Sequence, residues 1–161
     1  MIREDNNSNV ITHEDPAWRE RSNFIISAKL DSDAVESGFL WEQLWARELG
    51  ENVFELCCIP FFLYGFALGD TVRTGPDEEK DFVVVERLES KGHFTLRVWF
   101  HDQINKRLLE IIKSLKCDFE LRFPAGRLIS IDASSLEKRI ELEAVLSSPE
   151  FSDALAWENG S

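Results

Sequence analysis

The hydrophobic pattern of this 161-residue chain changes period part-way along, and that change restricts it to a mixed α+β fold. Up to about residue 100, apolar residues recur at every second position. Phe24, Ile26, Ala28 and Leu30 alternate with other types, as do Phe54, Leu56 and Cys58, and then Leu96, Val98 and Phe100. Successive side chains of a strand point to opposite faces, so each run reads as a strand with one inward face. After Asp102, which can cap a helix, Ile104, Leu108, Ile111, Ile112 and Leu115 form a stripe at helical spacing. Cys117, Phe119, Leu121 and Phe123 then alternate with Asp118, Glu120 and Arg122, which predicts a strand with one buried and one wet face.

Turn residues divide these runs. Asp31 to Gly38 reads as a turn region, and Gly75 to Lys80 and Ser90-Lys91-Gly92 read as loops between strands. Phe39 to Leu49 fits a helix or a strand, because Leu40/Leu44 and Trp41/Trp45 stand four apart. The turn Gly50-Glu51-Asn52 and the β-rich return from Val53 to Ile59 favour the strand. Asp81 to Leu88 and Phe94 to Phe100 are further strands. Pro124-Ala125-Gly126 turns the chain from the strand at Cys117–Phe123 into its hairpin partner, Arg127 to Ile131. Ser134-Ser135-Leu136-Glu137 has capping-box spacing and opens a helix to about Leu146. Ser148-Pro149-Glu150 restarts a short helix with Pro at its first position, and the terminal Gly160-Ser161 is expected to add no structure.

The expected organisation is a mobile, polar N-terminal tail over 1–21, a small antiparallel β unit over 22–92, and a half over 93–161 packed on it. The order strand, helix, strand, strand, helix in that last part predicts a split βαβ layer of ferredoxin-like type. A hydrophobic content of 43%, with twelve Phe and five Trp, is enough for a sizeable core. No apolar run is long enough to cross a membrane, and MIREDNNSNV is not expected to be a secretory signal. The three cysteines, Cys57, Cys58 and Cys117, lack metal spacing and are expected to be reduced thiols in a cytoplasm.

Thirty Asp and Glu face eighteen Lys and Arg, a formal charge of −12. Such a field repels nucleic acid and anionic lipid and steers basic partners toward the chain. Asp77, Glu78, Glu79 and Asp81 gather four carboxylates around Lys80 in one hairpin loop. The run lacks the central Gly and closing Glu of a calcium loop, so it is either a solvated loop or a patch for a basic protein. Over residues 132–161 seven carboxylates, among them Glu137, Glu141 and Glu143, face only Lys138 and Arg139. That second patch is a wet helix face or a further partner contact. Trp99 alternates with Val98 and Phe100 and so should point away from their face, either covered by the other half or offered to a partner.

Chemistry-bearing constellations are sparse. His93, His101 and the cysteines lack the electropositive setting that activates a thiol, and His13 lies in the tail and is expected to be inert. Gly65-Phe66-Ala67-Leu68-Gly69 lacks the Lys-Ser/Thr of a phosphate loop and reads as a structural turn.

Tyr64-Gly65-x-Ala67-x-Gly69-Asp70-x-Val72, preceded by Trp45-Ala46-Arg47-Glu48-Leu49-Gly50 and Phe54-Glu55-Leu56-Cys57-Cys58-Ile59-Pro60, resembles an uncharacterised family of small bacterial proteins. The likeness runs from about Trp41 to Phe100 and continues more weakly beyond. Small, acidic, cofactor-free bacterial proteins of that kind are often immunity proteins that neutralise a toxin nuclease, an analogy of class. The expectation is therefore a cytoplasmic, non-enzymatic immunity protein without metal or cofactor, which occludes the basic cleft of a cognate toxin. Asp77, Glu78, Glu79 and Asp81, Trp99, and Glu137, Glu141 and Glu143 would be its contacts. The alternative is a small-molecule-binding or regulatory domain with a cleft between the halves, lined by Tyr64, Trp99 and His101.

Overall fold

The computed structural model describes residues 9–31, 38–122 and 126–161. It is a mixed α+β, strand-rich fold of two sheets and two helices. Most of the turn region at 31–38, together with Phe123, Pro124 and Ala125, lies outside the described residues.

The first sheet is a meander of β2 (Phe24–Lys29), β3 (Trp41–Gly50), β4 (Val53–Leu56), β5 (Thr71–Gly75) and β6 (Val83–Glu89). Each neighbour pairs antiparallel with the next, and β6 returns to β2 through one parallel register, Ser27 to Val83, which closes a small barrel. The segment at 39–49 is thus a strand, and Asn52 turns β3 into β4 in the left-handed conformation (φ 59°) that asparagine tolerates. Ile26, Leu44, Ala46, Phe54 and Leu56 fill the barrel.

The second sheet runs β10-β7-β9-β8, all antiparallel. Its strands are β7 (Phe94–Phe100), β8 (Phe119–Leu121), β9 (Leu128–Ala133) and β10 (Leu155–Asn159). Helix α1 (Lys106–Ser114) and helix α2 (Leu136–Leu146) cover one face, where Leu108, Ile112, Leu142 and Leu146 meet Leu96, Val98, Ile129 and Ile131. The barrel covers the other face. Thr95 Oγ1 donates to Phe66 O at 3.0 Å, Ser130 Oγ donates to Ile59 O at 3.0 Å, and Arg97 donates to Leu63 O. The second sheet is therefore a middle layer, and every residue of β9 is buried.

This layering corrects several expectations. Residues 9–21 are not a free tail: β1 (Val10–Ile11) pairs parallel with β3, and a 3-10 turn at Arg19–Arg21 follows beside the barrel. Glu120, expected on a wet face, is buried, because that face of β8 meets the barrel rather than water. Asn105, not Asp102, caps α1, accepting from Leu108 N at 3.1 Å. No helix restarts at Ser148–Glu150. Turns lead instead into β10, whose register with β7 runs from Leu155–Phe100 to Asn159–Leu96. Gly160 and Ser161 are also engaged: Gly160 N donates to Thr95 O at 2.8 Å, and Ser161 Oγ accepts from Thr95 N at 2.9 Å. A side chain at Gly160 would overlap the Arg97 guanidinium beneath Tyr64, so only glycine fits that approach.

Candidate functional site

Two features occupy the junction between barrel and sheet. The first is a buried clasp. His13, carried in by the segment after β1, lies between two carboxylates from different sheets. Its Nε2 is 2.7 Å from Glu42 of β3 and its Nδ1 is 2.6 Å from Glu120 of β8. None of the three side chains is more than 1% exposed. Glu42 also accepts from the backbone N–H of Phe61, Phe62 and Leu63 at 2.7, 3.0 and 2.9 Å. Glu120 accepts from Ile59 N at 2.6 Å and Ala17 N at 3.1 Å. Phe61 stacks on the imidazole at 4.5 Å.

Burial alone would lower the His13 pKa, but Cys58 and Glu120 against the ring outweigh it and hold the imidazole well above its usual value. Burial pushes Glu42 up, and its bond to His13 more than reverses this, leaving it below its usual value. The clasp is thus an imidazolium between carboxylates, with backbone amides donating to both acids, three to Glu42 and two to Glu120. A histidine between two acids has the parts of an acid–base site, yet no face of it meets solvent. Its chemistry here is structural. The thiols are equally quiet: burial pushes Cys57 up to about 12 and Cys117 up to about 11, and raises Cys58. Among the described residues no group of His, Cys, Asp and Glu has a metal-binding arrangement.

The second feature is a cleft of about 400 Å³ at the edge of the same junction. Phe39, just before β3, and Phe62, in the connection from β4 to β5, form its barrel side. Trp99 and His101 at the end of β7, Arg122 after β8 and Arg127 before β9 form its sheet side. The Arg122 guanidinium lies over the rings of Phe39 and Phe62, at 5.0 and 5.7 Å, and its Nε is buried with no hydrogen-bond partner. Arg127 Nη1 donates to His101 O at 3.1 Å, and His101 Nδ1 donates to Asp153 O at 3.0 Å.

Trp99 is half-buried and faces the barrel, as its place in the alternation of β7 requires. It and His101 share the cleft, whereas Tyr64 does not line it. Tyr64 covers the buried Arg97 guanidinium at 4.7 Å and donates to Glu158 at 2.5 Å.

The acidic candidates are not gathered into one surface. The hairpin of Asp77, Glu78, Glu79 and Asp81 belongs to the barrel, while Glu137, Glu141 and Glu143 lie on α2, across the second sheet from it. Asp77 Oδ1 accepts from Glu79 N and Lys80 N, both at 2.8 Å, and these amides hold its carboxyl below the usual range. Glu78, Glu79 and Asp81 are exposed around that turn. On α2, Glu141 stands 3.7 Å from Lys138 and Glu143 accepts from Arg139 at 3.2 Å, so two of its three candidate carboxylates are engaged within their own helix.

Sequence reasoning missed His13, Glu42 and Glu120 of the clasp and Phe39, Phe62, Arg122 and Arg127 of the cleft. A signal existed for Glu42, which shares the inward parity of Leu44 and Ala46 on β3. A carboxylate in an inward row needs a buried partner.

Residues 42–157 match a family described as Domain of unknown function (DUF4265). The chain belongs to that family. The matched span includes Glu42, Glu120 and most of the cleft, and it leaves out His13 and Phe39. No curated protein sequence matches the chain. A crystal structure titled as a novel structure of a hypothetical protein from Neisseria gonorrhoeae superposes with a TM-score of 0.68 at 20% identity, over 86% of this chain and 95% of that one. At that identity the likeness speaks for the fold alone.

Proposed function

We propose that this DUF4265 protein is a ligand-binding or regulatory domain whose site is the junction cleft, and that it works by binding rather than by catalysis. The observation that carries this reading is the convergence of aromatic walls with a cation: Phe39, Phe62 and Trp99 border a space of about 400 Å³ that Arg122 also lines, its buried Nε being without a hydrogen-bond partner. Other hollows lack that combination. A groove of about 970 Å³ shares His101 and Arg127 with the cleft but has no aromatic wall, its other lining residues including Asp102, Lys106 and Asp153. One of about 700 Å³ along Phe24, Ile25, Trp45 and Phe82 is mostly apolar, and the one ionisable residue in its lining, His13, has both ring nitrogens taken by Glu42 and Glu120.

In this reading the second sheet is a ferredoxin-like split βαβ layer. Its β-α-β-β-α-β order and its β10-β7-β9-β8 arrangement support that assignment. A thermal-shift screen against a metabolite library tests the cleft. A bound compound raises Tm, and the rise is lost in Trp99→Leu, which keeps an apolar side chain but removes the indole. A flat screen, or a rise that survives Trp99→Leu, overturns it.

A second reading, an acidic immunity protein that blocks the basic cleft of a cognate toxin, draws on the hairpin. The Asp77 turn presents Glu78, Glu79 and Asp81 together on a preformed loop, in a chain of net charge −12. Preformed charge favours fast, salt-sensitive association. The discriminating experiment is capture of a stoichiometric basic protein at low salt by the wild type. Loss of that protein when Asp77, Glu78, Glu79 and Asp81 are changed to Asn or Gln favours this reading. Capture that ignores the four changes removes the hairpin from it.

A further inference from the structure

The junction cleft is an electrostatic exception in this molecule. The chain has twelve more acidic than basic residues, yet two guanidiniums and an imidazole border one aromatic space. Among the described residues, no carboxylate forms an ion pair with Arg122 or Arg127. Arg127 spends one nitrogen on a carbonyl oxygen, and Arg122 rests on two phenyl rings with Nε unpartnered. The field of Glu42 reaches Arg122, but the Glu42 oxygens are taken by His13 and three amides. Arg122 is partly withdrawn from water with no anion beside it, a cost that a bound anion relieves, and a planar fork matches a planar carboxylate. Phe39, Phe62 and Trp99 supply flat apolar faces for a ring.

We propose that the cleft is selective for aromatic carboxylates, the ring held among Phe39, Phe62 and Trp99 and the carboxylate taken by Arg122 and Arg127. The inference rests on the cleft reading above and adds to it the charge of the ligand. Burial lowers the Arg122 pKa below its ordinary value, which accords with a desolvated cation, although the guanidinium stays charged throughout the physiological range.

The test uses three ligands of nearly one shape and different charge: indole-3-acetate, its neutral amide indole-3-acetamide, and the cation tryptamine. Binding is followed by NMR on the indole N–H of Trp99, assigned by its disappearance in Trp99→Leu. The expected order is acetate over amide by about tenfold or more, with tryptamine weakest. Arg127→Gln, on an exposed side chain, reduces that preference. Adding Arg122→Gln abolishes it while the amide still binds, which also reports that the cleft remains formed. Equal affinity for acetate and amide overturns the anion inference and leaves the cleft reading standing. So does failure of the acetate to bind a protein whose Tm a neutral library compound raises. Failure of all three ligands together with a flat thermal screen overturns both.

Discussion

Removing the His13 ring leaves Glu42 and Glu120 buried without the cation that lies between them. Breaking a buried charge cluster by deleting one member costs about 3–5 kcal/mol, because the remaining charges keep their desolvation penalty. His13→Ala should therefore lower the unfolding free energy measured by urea titration by that order, and a change of less than about 1 kcal/mol would show that the carboxylates do not depend on the imidazole. The same contact sets a pH dependence. Folding raises the imidazole above its ordinary 6.5, so its stabilisation is complete below that pH and is lost as pH rises through the folded-state value. Glu42 acts in the opposite direction. Lowered from 4.5, it contributes above that pH and its contribution is lost as pH falls through its folded-state value. The alkaline decline should be smaller in His13→Ala when urea unfolding is followed from about pH 5.5 to about pH 9, the remainder including the share of His93, whose bond to Asp132 also holds its imidazole above the ordinary value.

Helix α1 tests the distance between a cap read from residue type and a cap made by geometry. Asp102 and Asn105 both have the right side chain, but only Asn105 reaches a free amide of the first turn. Asn105→Ala should cost about 1 kcal/mol, while Asp102→Ala should stay within about 0.5 kcal/mol. Equal losses in thermal or urea unfolding would move the cap. The strands were legible wherever an apolar row faces one core, as in Phe24–Lys29 and Phe94–Phe100. The short strand β8 marks the limit. Alternation correctly divides its residues between two faces, but it assigns the polar face to water, and Glu120 faces the barrel instead. Strand β10 offers only Leu155 and Trp157 as an alternating pair after a proline, too short a pattern to separate from a turn. Sequence also led to the cleft through Trp99 and His101, whereas Phe39, Phe62, Arg122 and Arg127 converge on it only through the packing of two sheets.

At the scale of the whole molecule, the clasp draws one residue from the N-terminal segment, one from the barrel and one from the second sheet, so neither sheet completes its interior alone. Fluorescence of the tryptophans and far-UV circular dichroism should consequently report one coincident urea transition, and two separated transitions would mean that the halves hold independently. The cleft depends on the same arrangement, since its aromatic wall comes from the barrel and its cations from the sheet. The measurement that bears most directly on the junction as the functional site is a residue-resolved NMR titration of the labelled protein with a fractionated cell extract, from which macromolecules have been removed. Shifts gathered at Trp99, His101, Arg122 and Leu128 are the predicted result. Shifts confined to the Asp77–Asp81 hairpin, or none anywhere along the chain, would contradict it.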